Sequence, residues 1–207
     1  MRPTTLALGS IEALHAVVQS GALVELKVNA DVVVVATAAA FTGITEAVVA
    51  IAQALDDVDL RVEALMAADR ASAAEPYFSQ RLSEADLVIL CDGSALHARS
   101  VWRATPLGDA INASLTLVAI GSVASVLGEV MIDPRGGAPT TGLGYRPGVA
   151  FCTTASDEQL TRTRSLLGVD VPLVLLGPAG VVRHDGTQWR VLNDDVVVTR
   201  GHDSSVL

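Results

Sequence analysis

Residues 32–36 read Val-Val-Val-Val-Ala. An amphipathic helix or a half-exposed strand would interrupt such a run with polar residues, so this segment reads as a strand buried on both faces. Strands of that kind belong to parallel sheets covered by helices. The chain around it keeps the same logic. Apolar strand-like runs fall at 5–8, 60–65, 87–91 and 115–120, and helix-like stretches at 11–19, 44–55, 71–82 and 122–132. Within 44–55 the residues Ile44, Val48, Ile51 and Leu55 recur at helical spacing. Ser10 precedes the first helix as an N-cap, and Thr42 lies beside the start of the second as its cap. This alternation predicts an α/β fold: three layers, with a mostly parallel sheet flanked by helices.

The last third reads differently. Glycines and prolines crowd residues 136–148, followed by a strand at 149–151, a helix at 157–167 and a buried strand at 172–176. Segments 180–183 and 188–192 flank a turn at Asp185-Gly186, and 196–199 follows, which predicts an antiparallel C-terminal extension. No repeat or linker divides the 207 residues, so a single domain spans 1–207.

Composition removes several function classes. The chain carries 23 acids against 14 bases, a net charge of −9, and no Lys/Arg cluster. It therefore lacks the electrostatic footprint of a nucleic-acid binder. Mean hydropathy is high at +0.45, and residues 110–128 carry no charge. That stretch contains Asn112, Ser114, Thr116, Ser122 and Ser125 and is divided by Gly121, so a strand, a turn and a helix explain it better than a membrane span. Glu12 interrupts the apolar N-terminal run before a signal-peptide core can form. Two cysteines make no disulfide framework. A cytoplasmic protein without membrane contact is the expectation.

Ligands of an open parallel sheet bind at the carboxyl ends of its strands. The segments there are Cys91-Asp92-Gly93-Ser94 and Gly121-Ser122-Val123-Ala124-Ser125. The second joins a strand to a helix, the setting of a nucleophile elbow, which wants small residues two before and two after its centre. Only a frame centred on Val123 satisfies this, with Gly121 and Ser125 on either side. Valine has no nucleophilic atom.

The motifs along the chain resemble the cyanophycinase/aspartyl dipeptidase family of serine peptidases, within the class I glutamine amidotransferase-like superfamily. The segment Leu90-Cys-Asp-Gly-Ser-Ala95 stands where that family has Phe-Thr-Gly-Gly-Asp/Asn-Gln, and Thr105-Pro-Leu107 follows as its Thr-Pro-Leu segment does. Gly121-Ser-Val-Ala-Ser-Val126, then Val130-Met-Ile132, is similar to the family elbow Gly-Thr-Ser-Ala-Gly-Ala followed by Val-Met-Ile. Gly142-Leu-Gly-Tyr-Arg-Pro-Gly148 is similar to Gly-Leu-Gly-Leu-Leu-Pro-Gly. The resemblance implies that the nucleophile position falls on Val123 and the catalytic histidine position on Thr154, within Cys152-Thr-Thr-Ala-Ser156. The family's acidic segment falls on residues 175–177, which hold no carboxylate, and the first glycine shaping the oxyanion pocket is Asp92. A hydrolase needs nucleophile, base and oxyanion donors together. The resemblance thus implies a catalytically inactive homologue that retains a pocket or partner surface.

The pocket is expected from Cys91, Asp92, Gly93, Ser94, Ala124, Cys152 and Ser156. Its occupant would be a small molecule or peptide, although Asp92 and the overall charge oppose an aspartyl peptide. The rival reading is an active serine or cysteine hydrolase of small acidic peptides with a rearranged site, using Ser122, Ser125 or a thiol with His97 as base. Serine at a helix start is ordinarily a cap, and buried cysteines are ordinarily small hydrophobes. His184-Asp185 and His202-Asp203 lack metal-ligand spacing, so no metal and no cofactor are expected. A homo-oligomer is compatible with the composition. A β-branched residue is strained at an elbow, so Val123 is expected at an ordinary backbone conformation.

Overall fold

The computed structural model describes residues 3–21, 29–153, 155–168, 170–200 and 203–204. Its elements in chain order are β1 (Thr4–Leu8), α1 (Ile11–Gln19), β2 (Ala30–Val35), α2 (Ile44–Ala54), β3 (Leu60–Leu65), α3 (Arg70–Ala73) and α4 (Pro76–Ser83). Then come β4 (Leu87–Leu90), α5 (Ala95–Trp102), α6 (Pro106–Ala113), β5 (Thr116–Ile120), β6 (Val130–Ile132) and β7 (Pro139–Thr141). The chain ends with β8 (Ala150–Cys152), α7 (Asp157–Leu166), β9 (Leu173–Leu176), β10 (Val181–His184), β11 (Trp189–Val191), β12 (Val196–Arg200) and β13 (Asp203–Ser204).

The main sheet has seven strands in the order β11-β10-β1-β5-β4-β2-β3. Its five strands from β1 to β3 run parallel, and β10 and β11 join antiparallel at the β1 edge. Val32, Val33, Val34 and Val35 are fully buried, as a strand covered on both faces requires. The mostly parallel α/β fold is therefore as the sequence pattern implies. The C-terminal third is more divided than expected. β8 and β9 pair in parallel and, with antiparallel β12 and β13, form a second sheet of four strands.

Three local expectations are corrected. Residues 71–82 form two helices, because Pro76 cannot continue the first and opens the second at its N1 position. Asp69 caps the first in a capping box with Ser72. The cap before α2 is Gly43, not Thr42, and no side chain bonds there. Residues 122–132 are not one helix: a short 3-10 helix, Gly121–Val126, is followed by β6, which pairs antiparallel with β7. Val123 and Val126 are spaced as in a helix, yet both are fully buried and Gly128 packs against Val149, so the chain bends away. Ser10 does cap α1, accepting from the N–H of Glu12.

Register places the site. Leu90 of β4 lies opposite Ala119 of β5, and Val35 of β2 lies opposite Leu90. Two residues on, Asp92 and Gly121 are neighbours at the carboxyl ends. A buried cation ties the glycine-rich loop to the opposite ends. The Arg146 guanidinium donates to Thr5 Oγ1 at 2.8 Å, to the carbonyls of Asn112, Ser114 and Tyr145, and to Asn112 Oδ1. Burial alone lowers its pKa, and carbonyl oxygens stabilise the charge.

Candidate functional site

The turn after β5 centres on Gly121, whose φ is +63°. Among the described non-glycine residues only Asn29 and Ala104 have positive φ, so Val123 has the ordinary conformation expected of a β-branched residue. Its side chain is fully buried in the core. The sharp turn thus falls two residues before the frame read from the sequence. Gly121 can hold it because a glycine has no Cβ to clash there.

Asp92 fills the space beside that turn. A Cβ on Gly121 would lie 2.1 Å from Asp92 Cγ and 2.3 and 2.4 Å from its two carboxylate oxygens. Asp92 Oδ1 accepts the N–H of Gly93 at 2.7 Å and the N–H of Ser122 at 2.9 Å. Ser122 Oγ stands 3.0 Å from the same oxygen and also donates to the Gly93 carbonyl. Gly93, with φ +146°, is itself pressed against the Ala38 carbonyl, where no Cβ would fit.

An open cleft of about 390 Å³, solvent at its mouth included, begins at these strand ends. Ser122, Ser125, Asp133, Cys152, Thr153 and Gln159 supply its polar lining, and Ala95, Phe151 and Ile132 part of its apolar wall. Ser125 donates to the Ser122 carbonyl at 2.7 Å, so its hydroxyl is engaged with its own turn. Arg135 holds the Asp133 carboxyl below the usual range through a side-chain hydrogen bond. A second trough shares Thr153 and Ala155 with the first and runs on to Asp194 and Asp195.

The remaining sequence candidates divide. Ser94 caps α5 and Ser156 caps α7 in a capping box with Gln159. Ala124 is fully buried. Thr154 lies outside the described residues. His97 Nε2 is 2.7 Å from the Ala68 carbonyl, and its ring meets Phe41 edge-on at 4.6 Å. It is not among the residues lining the cleft, and neither is any other described histidine. Cys91 and Cys152 are both buried thiols outside any disulfide. Only Cys152 lines the cleft. Burial, with a smaller contribution from the Asp92 charge, pushes the Cys91 thiol up to about 11, which opposes thiolate chemistry at neutral pH. Among the described residues no group of three His, Cys, Asp or Glu is placed to hold a metal, and no helix is long and apolar enough to cross a membrane.

Sequence reading placed a turn at Gly121 but centred the elbow on Val123, and it missed Asp133 and Gln159 as cleft lining. The signal for Gly121 was its place directly after Ile120, the last residue of an apolar strand. Nothing local marks the other two, which reach the cleft through the β6–β7 loop and α7.

These features define an α/β domain with a cleft where β4 and β5 end. Two solved structures of similar architecture are described as peptidases, one of them putatively. One is a peptidase from an acI-B1 actinobacterium, with TM-score 0.77 and 19% identity over 99% of this chain and 93% of that one. Another is a putative peptidase E protein from Listeria monocytogenes EGD-e, with TM-score 0.65 and 13% identity over 97% and 99%. At such identities the likeness is one of fold, and the fold is peptidase-like. No protein-family model and no curated protein matches the sequence.

Proposed function

We propose that this chain is a catalytically inactive member of the peptidase-like fold that keeps its cleft for binding a small molecule or peptide. One observation carries the reading: the nucleophile position of the strand-end turn bears no nucleophilic atom, and the neighbouring Ser122 and Ser125 hydroxyls donate to the Gly93 and Ser122 carbonyls. If the position is taken from the backbone, it is Gly121; if from the motif, it is Val123. Neither side chain can attack a carbonyl. Two further observations support it. His97, the one base proposed from sequence, is engaged with Ala68 and Phe41. The Gly93 and Ser122 amides, which would have to meet a developing oxyanion, are held by a carboxylate. Losing nucleophile or base in such a site costs about four to six orders of magnitude in rate.

The test is turnover of α- and β-aspartyl dipeptides by the purified chain beside Ser122→Ala and Ser125→Ala. No turnover above the blank is expected. Turnover that either substitution abolishes would establish a working serine hydrolase instead.

A further inference from the structure

Two amides from different strand ends converge on one oxygen of Asp92: Gly93 N–H after β4 and Ser122 N–H after β5, with the Ser122 hydroxyl beside them. The Ser122 contact spans 30 residues of sequence, so this is more than a local Asx turn. Among the described residues no Lys or Arg forms an ion pair with Asp92; the two amides are what meet its charge, the Ser122 hydroxyl having one proton between Asp92 Oδ1 and the Gly93 carbonyl. The side chain also occupies the volume a residue at 121 would take, and only a glycine there leaves room for it.

We propose that the Gly93 and Ser122 amides form a carboxylate-binding site whose resident ligand is the chain's own Asp92. Removal of that side chain turns the site into a receptor for a small external monocarboxylate such as formate or acetate. The ligand class follows from the donors. The two N–H groups meet a single carboxylate oxygen, the second oxygen lies 2.3 Å from where a Cβ on Gly121 would stand, and the vacated space is that of one CH₂–COO⁻ group. In the intact protein the tethered carboxylate is present at high effective concentration and excludes free anions. This inference concerns the same strand ends as the proposed function but stands whether or not the cleft turns over a substrate.

The experiment follows the Gly93 and Ser122 amide resonances of the full chain by NMR. In Asp92→Asn, which keeps the side-chain volume, both amide protons are expected to move upfield as the charged acceptor is lost. In Asp92→Gly and Asp92→Ala, formate is expected to shift both amides saturably and to raise Tm, with equal ionic strength of sodium chloride as control. The wild type shows neither response. Movement of Gly93 alone in Asp92→Asn would overturn the proposal by reducing the contact to a local turn. A folded Asp92→Gly or Asp92→Ala showing no saturable shift, or a wild type responding equally, would overturn it as well. Neither result depends on dipeptide turnover, so failure here is distinct from failure of the functional reading.

Discussion

Two strand ends in this molecule set an aspartate against a glycine. After β5, Gly121 faces the carboxylate of Asp92; after β9, Gly177 faces that of Asp195, where an added Cβ would lie 2.1–2.4 Å from Asp195 Oδ1, Cγ and Oδ2. The surroundings differ. Asp195 Oδ2 accepts the N–H of Ala179 at 2.7 Å, and its carbonyl accepts the N–H of Gly177 at 2.8 Å. That turn is clamped to the end of β1, with Gly9 N–H donating to Gly180 O and Ser10 Oγ to Pro178 O. Gly177 does not need positive φ, whereas Gly121 does. At β9 the carboxylate fastens a turn whose place is fixed by backbone contacts. At β5 it joins two strand ends through the N–H groups of Gly93 and of Ser122, the latter a cleft-lining residue. The same pair of residue types serves architecture in one place and occupies an anion site in the other.

The largest effect is expected on the β9 side. A Cβ on Gly9 would lie 1.7 Å from the Gly177 carbonyl oxygen, a backbone atom that cannot step aside. Gly9→Ala should cost about 4 kcal/mol in denaturant unfolding. Gly121→Ala should cost about 2 kcal/mol, from positive φ and from displacing Asp92. Here a partner can relieve the clash: adding Asp92→Gly should recover about 1 kcal/mol in a double-mutant cycle. Strict additivity would mean that the two residues do not share one space. Asp195→Ala should cost about 1 kcal/mol, below the range for buried bonds to a charged group because this turn bond is exposed to solvent.

The smallest effect at neutral pH separates the two ends by titration. Cys91, next to Asp92, has its thiol raised to about 11 from an ordinary 9.0. The unfolded chain ionises first, so stability should be fully present below about pH 9 and fall as pH rises towards 11. Cys91→Ala should remove that slope in unfolding curves measured across the window. The β9 end has no thiol and should contribute none. His184 gives the opposite sign elsewhere. Burial, then the charge of Arg146, lowers its pKa, so stability should fall as pH drops below about 6.5, its unperturbed value. His184→Gln should flatten that fall.

The main sheet was legible because its strands are wholly apolar and its helices begin at visible caps. Val32 to Val35 could be little else than a buried strand, and Ser10 and Pro76 mark helix starts by their own chemistry, although Pro76 was read through. The stretch after Gly121 does not continue as the helix expected over 122–132, because core packing and the β6–β7 pairing decide its course. The site was legible as a place, since the carboxyl ends of β4 and β5 follow from the fold class. Its content was not. Which residue takes positive φ depends on where β5 stops, and the direction of the Asp92 side chain depends on a register between strands some 30 residues apart.

The most direct test of the central claim, that the cleft holds no working nucleophile, is exposure of the native chain to a fluorophosphonate probe followed by intact-mass analysis. The account predicts an unmodified mass. An adduct mapped to Ser122 or Ser125, and lost on heat denaturation before labelling, would contradict it.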